Sequence, residues 1–218
     1  AYTIPLLVSD LEALRKHFKL EQITLLGYSF GASLAVEYTL AHPENVKGLI
    51  LESFATLQDS AVQLSQMANF YSQAREQNRP KMDSILRTGS TLSAKYAAFW
   101  SIARKDDVIR FLFNNQEKGK KMFEMWAESK IGNSGVVMKK LMDEHREINL
   151  FDEVKKVTTP TLLLAGIYDR NGALPATMRL KEEIQSSEIR FFLNSAHFPD
   201  FEETELFVNT IRDWLRHR

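Results

Sequence analysis

Apolar residues fall into two alternating rhythms along this chain. Short, nearly continuous runs occur at 22–28, 46–52 and 161–167, and a fourth at 188–193. Runs of this length predict strands. The first three carry little polar interruption, which predicts parallel strands covered on both faces. Between them the spacing changes to a helical period. Leu6, Leu7, Leu11, Leu14 and Phe18 predict a helix over 5–19. A second helix over 31–42 stops at His42-Pro43, and a third is predicted over 174–185. Leu206, Phe207, Ile211 and Leu215 mark a closing helix over 203–216. Strands that alternate with helices predict an α/β fold built on a parallel sheet.

From about residue 55 to 150 the alternation lapses. This segment is helix-like throughout, with breaks predicted near 78–80, at Gly89 and across 131–135. It holds six of the seven methionines: Met67, Met82, Met122, Met125, Met138 and Met142. It also holds Phe70, Tyr71, Tyr96, Phe99, Trp100, Phe111, Phe113, Phe123 and Trp126. Two readings stay open for these residues, the core of a helical subdomain or the lining of an adaptable apolar pocket. An insertion at this point leaves the sheet at the C-terminal ends of its strands, where ligands bind in open α/β sheets. The expected organisation is therefore a core of 1–54 and 150–218 with a helical cap over 55–149.

The candidate chemistry begins at Gly27-Tyr28-Ser29-Phe30-Gly31, between the first strand and the second helix. Strand, G-x-S-x-G and helix in that order form the nucleophile elbow of the α/β-hydrolases. The turn is tight, so small residues are expected two before and two after the serine, and Gly27 and Gly31 meet that need. The turn lifts Ser29 Oγ above the sheet and aims the Phe30 backbone N–H at the place where an oxyanion would form.

A serine hydroxyl needs a base, and the base needs an orienting acid. Of the five histidines, His197 alone directly follows a strand, in Asn194-Ser195-Ala196-His197-Phe198-Pro199. His17 and His217 fall on surface helices, His42 ends the second helix, and His145 sits in a charged run. Asp169 follows the third strand and is expected to be the acid, with Glu52 at the end of the second strand as the substitute position. The order Ser, Asp, His is the order used by the hydrolase fold.

Composition narrows the partners. The 218 residues carry 28 basic and 28 acidic side chains, so net charge gives no support for a nucleic-acid or anionic-membrane partner. No apolar run approaches the roughly 20 residues of a membrane helix. There is no cysteine, hence no disulfide framework and no thiolate metal site. These features fit a reducing compartment, and a cytoplasmic location is expected. Neither a metal nor an organic cofactor is expected. The opening Ala1-Tyr2-Thr3-Ile4-Pro5 has no initiator methionine and no signal segment, so the true N-terminus is expected elsewhere.

Together the elbow, Pro160 to Asp169 (P-T-L-L-L-A-G-x-x-D) and Ser195 to Pro199 (S-A-H-F-P) resemble the α/β-hydrolase superfamily over 1–55 and 150–218. Ser9 to Arg15, His42 to Val46 and the long cap are most similar to the proline iminopeptidase-type branch. The resemblance implies a serine hydrolase acting on a small acyl compound through an acyl-enzyme, with Tyr28, Phe99, Trp100, Trp126, Arg170 and Phe198 as substrate contacts.

Two departures shape the expectation further. The superfamily's sheet begins with several strands before the elbow, together with an HG-type loop that gives a second oxyanion donor. Only 28 residues precede Ser29 here. A segment or second chain that completes the sheet is therefore expected, and little hydrolysis without it. In proline iminopeptidases acidic groups hold the substrate amine, and one often follows the catalytic acid directly. Arg170 stands at that position. A cation repels an ammonium group and suits a carboxylate or a neutral ester. The alternative for Arg170 is a pairing with a surface acid, and Glu76, Glu124 or Glu128 remain able to hold an amine. A carboxylic ester is thus the expected substrate class. The alternatives are an iminopeptidase-like aminopeptidase, an acyltransferase or thioesterase, and a non-catalytic binding module.

Overall fold

A computed structural model describes residues 3–54, 60–129, 140 and 150–217 of the chain. The predicted break at 131–135, Met138, Met142 and His145 lie outside the described residues. So does residue 55, where the predicted cap begins.

Four strands form one parallel sheet: β1 Ile23–Tyr28, β2 Val46–Glu52, β3 Thr161–Gly166 and β4 Ser187–Phe192. Their order in the sheet is their order in the chain. All four C-terminal ends therefore lie along one rim, and every loop leaving a strand starts there. Tyr28 pairs with Glu52, Glu52 with Leu164, and Gly166 with Phe192, which sets the register of that rim.

The pleat divides the apolar runs between two cores. Leu49 and Leu51 of β2 and Leu163 of β3 face α2 (Phe30–Ala41), α8 (Leu150–Glu153) and α9 (Ala173–Glu183), through Ala32, Ala35, Val36, Phe151 and Leu180. Ile50, Leu162 and Leu164 face the other way, onto Phe192 and the closing helix α11 (Thr204–Arg216), which presents Phe207 and Trp214. Continuous burial along β2 and β3 thus has a simple cause: both faces are covered. β1 departs from the prediction. It is the outermost strand, only Gly27 in it is buried, and Leu26 is 49% exposed. Among the described residues no strand lies on its outer side. Helix α1 (Ile4–His17) covers α2 rather than the sheet's far face, through Ile4, Val8 and Tyr38.

Between β2 and β3 run α3 (Ser60–Gln73), α4 (Arg79–Leu86), α5 (Leu92–Ile102), α6 (Lys105–Leu112) and α7 (Gln116–Glu128). The predicted break near 78–80 is the start of α4, where Pro80 occupies the first turn and no N–H is needed. Gly89 lies in the loop before α5. These helices enclose a core of their own around Met67, Phe70, Met82, Phe99, Phe111 and Phe113. Phe70 makes ring contacts with Phe99, Trp100 and Phe111 at centroid distances of 6.2, 5.4 and 4.9 Å. One buried acid ties the segment together. Asp107 accepts from the backbone N–H of Arg104 (3.1 Å) and from the side chains of Asn78 (2.8 Å), Arg75 (3.3 Å) and Arg110 (3.3 Å). Four donors on one carboxylate offset the cost of burying it.

Candidate active site

Ser29 sits between β1 and α2 with φ 52° and ψ −117°, outside the ordinary region for a residue with a side chain. Such a conformation costs on the order of 1–3 kcal/mol and persists only where the surroundings impose it. Two contacts do so. The Ser29 N–H donates to the Glu52 carbonyl (2.9 Å), and the Ala32 N–H donates to the Ser29 carbonyl (3.0 Å). Close approach sets the requirement at Gly27, where a Cβ would lie 2.4 Å from the Gly31 carbonyl oxygen and 2.6 Å from Ala32 Cα. The expectation for Gly31 is corrected. Apart from its chain neighbours and the backbone of its own helix, no described atom lies within 4 Å of a Cβ built there, so the turn demands a small residue only on its strand side.

Asp169 and His197 reach the same rim from β3 and β4. The two loops press together at Gly166, where a Cβ would stand 2.1 Å from the Ala196 carbonyl oxygen. The Tyr168 N–H donates to the Ser195 carbonyl (3.1 Å), and the His197 N–H to the Leu112 carbonyl (2.9 Å). Three side chains then form a line. His197 Nδ1 lies 2.7 Å from Asp169 Oδ2, and His197 Nε2 lies 3.1 Å from Ser29 Oγ. The Asn171 N–H donates to the other carboxylate oxygen of Asp169 (2.8 Å). With Asp169 accepting on both oxygens, the imidazole carries its proton on Nδ1 and offers Nε2 to the serine. Glu52 takes no part in this line. Its carboxyl is buried and accepts from the Asp200 N–H (3.1 Å), and burial, with the nearby Asp200 charge, pushes its pKa up to about 9. It is neither a substitute acid nor a solvated loop residue.

The expected contact residues divide. Tyr28 and Phe198 border the imidazole, with ring centroids 5.3 and 5.5 Å from His197 and 5.1 Å from each other. Burial, with Asp169, Glu52 and Asp200 nearby, raises the Tyr28 pKa and keeps the phenol neutral. Trp126 is 42% exposed and lies 5.8 Å from Phe198. Trp100 is half-buried against Phe70 and Phe111. Phe99 is 1% exposed inside the helical core, so its place is packing.

Arg170 is corrected on both readings. Its Nη1 donates to the backbone carbonyls of Arg110 (3.1 Å) and Phe113 (3.5 Å), so the guanidinium is engaged in tying the acid's loop to α6. Phe30 opens α2, which places its backbone N–H in the first turn of that helix. Glu76, Glu124 and Glu128 are exposed. His17, His42 and His217 stand at the C-terminal ends of helices.

Sequence reasoning missed a neutral polar group beside His197. Asn171 Nδ2 lies 3.4 Å from His197 Nε2. Its Oδ1 is 3.4 Å from the Tyr96 hydroxyl and 3.5 Å from Gln66 Nε2, which also donates to the Asn171 carbonyl (2.8 Å). Gln66 is fully buried, and burial pushes Tyr96 up to about 12. Asn171 follows Asp169 by two residues, the only local signal for it. Tyr96 was legible only as one aromatic among many in the helical segment, and Gln66 gave no signal, because they come from α5 and α3.

Comparison with known proteins identifies the fold family. A family model described as the alpha/beta hydrolase fold matches residues 1–203. The proline iminopeptidase of Saccharolobus solfataricus is 24% identical over 217 residues, 98% of this chain and 69% of that protein. An esterase from Exiguobacterium antarcticum superposes with a TM-score of 0.72 at 21% identity, covering 99% of this chain and 74% of that one. A thermophilic esterase from Thermogutta terrifontis gives 0.68 at 20% identity, covering 99% and 72%. At these identities the two structures speak to the fold alone. Among the described residues no helix is long and apolar enough to cross a membrane.

Proposed function

We infer the activity from two facts taken together: the chain belongs to the α/β-hydrolase fold family, and Ser29, His197 and Asp169 stand in hydrogen-bonded sequence. The proposed function is that of a serine hydrolase cleaving a carboxylic ester or similar small acyl compound. Ser29 Oγ attacks the carbonyl carbon while its proton passes to His197 Nε2. Asp169 holds the imidazole through Nδ1–H and stabilises the imidazolium. The Phe30 N–H donates to the oxyanion, and such a donor contributes about 2.7–4 kcal/mol to the transition state. The C–O bond breaks as Nε2–H protonates the leaving oxygen. Water then attacks the acyl-enzyme, gives its proton to Nε2, and the acid leaves as Ser29 is restored.

The observation that carries this reading is the 3.1 Å approach of Ser29 Oγ to His197 Nε2. The strained backbone at Ser29 supports it, since strain of this kind concentrates at working residues. Helices α3–α7 are read as a cap whose Tyr96, Gln66 and Trp126 border the substrate. The exposed outer edge of β1 supports a companion expectation, that a further segment or second polypeptide completes the sheet and the oxyanion site. The mass of the purified native species checks it.

An ester is favoured over an N-terminal proline peptide because, beyond Ser29 and Asp169, the side chain at His197 is the neutral amide of Asn171, backed by the Tyr96 hydroxyl. The proline iminopeptidase relatives favour the aminopeptidase as the second reading. A fluorophosphonate probe tests the common chemistry: labelling at Ser29, reduced to a slow residual rate in His197→Ala, is expected. Absence of labelling in the full-length protein under any condition overturns it in favour of a non-catalytic module. Comparison of p-nitrophenyl acetate with proline p-nitroanilide then separates the two substrates. Product analysis with an added alcohol or thiol reveals acyl transfer.

A further inference from the structure

We infer that Glu202 is a positioning residue for His197, tying the loop that carries the base to the joint between α6 and α7. The inference rests on the reading of His197 as the base. Glu202 belongs to the short helix α10 (Pro199–Glu202), five residues beyond His197, and is buried. Its Oε2 accepts from the N–H of Ala196 (2.7 Å), the residue just before His197. Its Oε1 accepts from the N–H groups of Asn114 (2.9 Å) and Asn115 (2.6 Å), which lie between α6 and α7. One carboxylate therefore binds three backbone donors from two segments about 80 residues apart in the chain, each bond charge-assisted.

Other contacts close the same joint around the histidine. His197 donates its N–H to the Leu112 carbonyl (2.9 Å). Phe198 stacks on Phe113 with centroids 4.6 Å apart and planes within 6°. Lys118 Nζ donates to the carbonyls of Phe201 (3.1 Å) and Glu202 (2.7 Å). Both neighbours of His197 in the chain are thus fixed to the helical insertion and not to the sheet alone. Burial raises the Glu202 pKa, an effect opposed by the three N–H groups and by Lys118. Without the carboxylate, three buried donors lose their acceptor. The loop then shifts to find others, and the imidazole moves with it. Asp169 is also held by the Asn171 N–H, so the displacement falls on the contacts from His197 to Asp169 and Ser29.

The test is a double-mutant cycle on the full chain, read by the second-order rate of Ser29 labelling with a fluorophosphonate. Glu202→Ala is expected to slow labelling on the order of tenfold to a hundredfold, as misplacement of a catalytic group by about 1 Å does. Glu202→Gln, which keeps one acceptor oxygen, is expected to recover part of the loss. In a His197→Ala background neither substitution should slow labelling further, because the effect acts through the imidazole. An equal slowing with and without His197 overturns the inference, as does an unchanged rate in folded Glu202→Ala. A second readout needs no activity: the low-field proton resonance of His197 Nδ1–H, present in the wild type, should shift or vanish in Glu202→Gln. If wild type is not labelled, the hydrolase reading fails. The resonance still decides the positioning role, and its persistence in folded Glu202→Gln and Glu202→Ala overturns it.

Discussion

A Cβ on Gly166 would stand 2.1 Å from the carbonyl oxygen of Ala196, so the end of β3 and the loop of the base meet backbone to backbone. No rotamer can relieve that contact, because the methyl of alanine has none. Gly166→Ala is expected to destabilise the chain by about 1–3 kcal/mol or more, as overpacking against a fixed group does. That lowers the melting temperature by roughly 2–4 °C per kcal/mol at this length. It should also slow Ser29 labelling, because the strain is relieved by parting Asp169 from His197. Thermal melting with labelling on the same sample checks both.

The two elbow glycines should respond differently. Gly27→Ala drives a methyl into the Gly31 carbonyl and Ala32 Cα, whereas Gly31→Ala meets no described atom beyond its chain neighbours and its own helix. Loss of folding or of labelling is expected for the first, and a change within about 0.5 kcal/mol for the second, the range of an uncrowded surface substitution. Gly31 lies inside α2, where alanine is the better helix former. Equal damage by both would contradict the geometry of the turn.

Asp169→Asn tests the tautomer. The Asn171 N–H fixes an acceptor on one branch of the side chain, so the new amide nitrogen is placed on the branch facing His197 Nδ1. The imidazole then accepts at Nδ1 and carries its proton on Nε2, where it can no longer receive the serine's. A fall of about 10⁴ in turnover with the melting temperature little changed is expected, the size seen when this wrong tautomer is imposed elsewhere. Steady-state rates on p-nitrophenyl acetate measure it.

Glu52 gives a pH signature. Its pKa rises from 4.5 when exposed to about 9 when folded, mainly through burial. The folded state therefore holds a proton that the unfolded state gives up between those values. By linkage this contribution to stability is complete below about pH 4.5 and is lost progressively as pH rises toward 9. Glu52→Gln keeps an oxygen for the Asp200 N–H and removes the titration. The variant should lose less stability than wild type between pH 5 and pH 8.5, measured by urea unfolding at both. A wild-type-sized loss in the variant would show that Glu52 does not carry this dependence.

Much of the framework was legible along the chain, because local physics wrote it there. The apolar runs that predicted β2 and β3 are buried on both faces, and the helical periods placed α1, α2, α9 and α11 within a few residues of their ends. Ser29, Asp169 and His197 could be singled out because each directly follows a strand, and parallel strands deliver such residues to one rim. What only the tertiary structure decided concerns groups whose partners are remote in sequence. Arg170 looked like a free cation and is engaged by carbonyls 60 and 57 residues away. Phe99 and Trp126 read alike as apolar aromatics, yet one is core and the other is open, since periodicity gives a helix face and not its neighbour. β1 has the composition of an inner strand and an outer strand's exposure, because covering depends on what lies beside it. Glu52 stands in the sequence as a substitute acid at a strand end, and Glu202 gives no local signal. Only the folded chain shows them buried and holding backbone N–H groups, since a carboxylate's role is set by the donors that reach it.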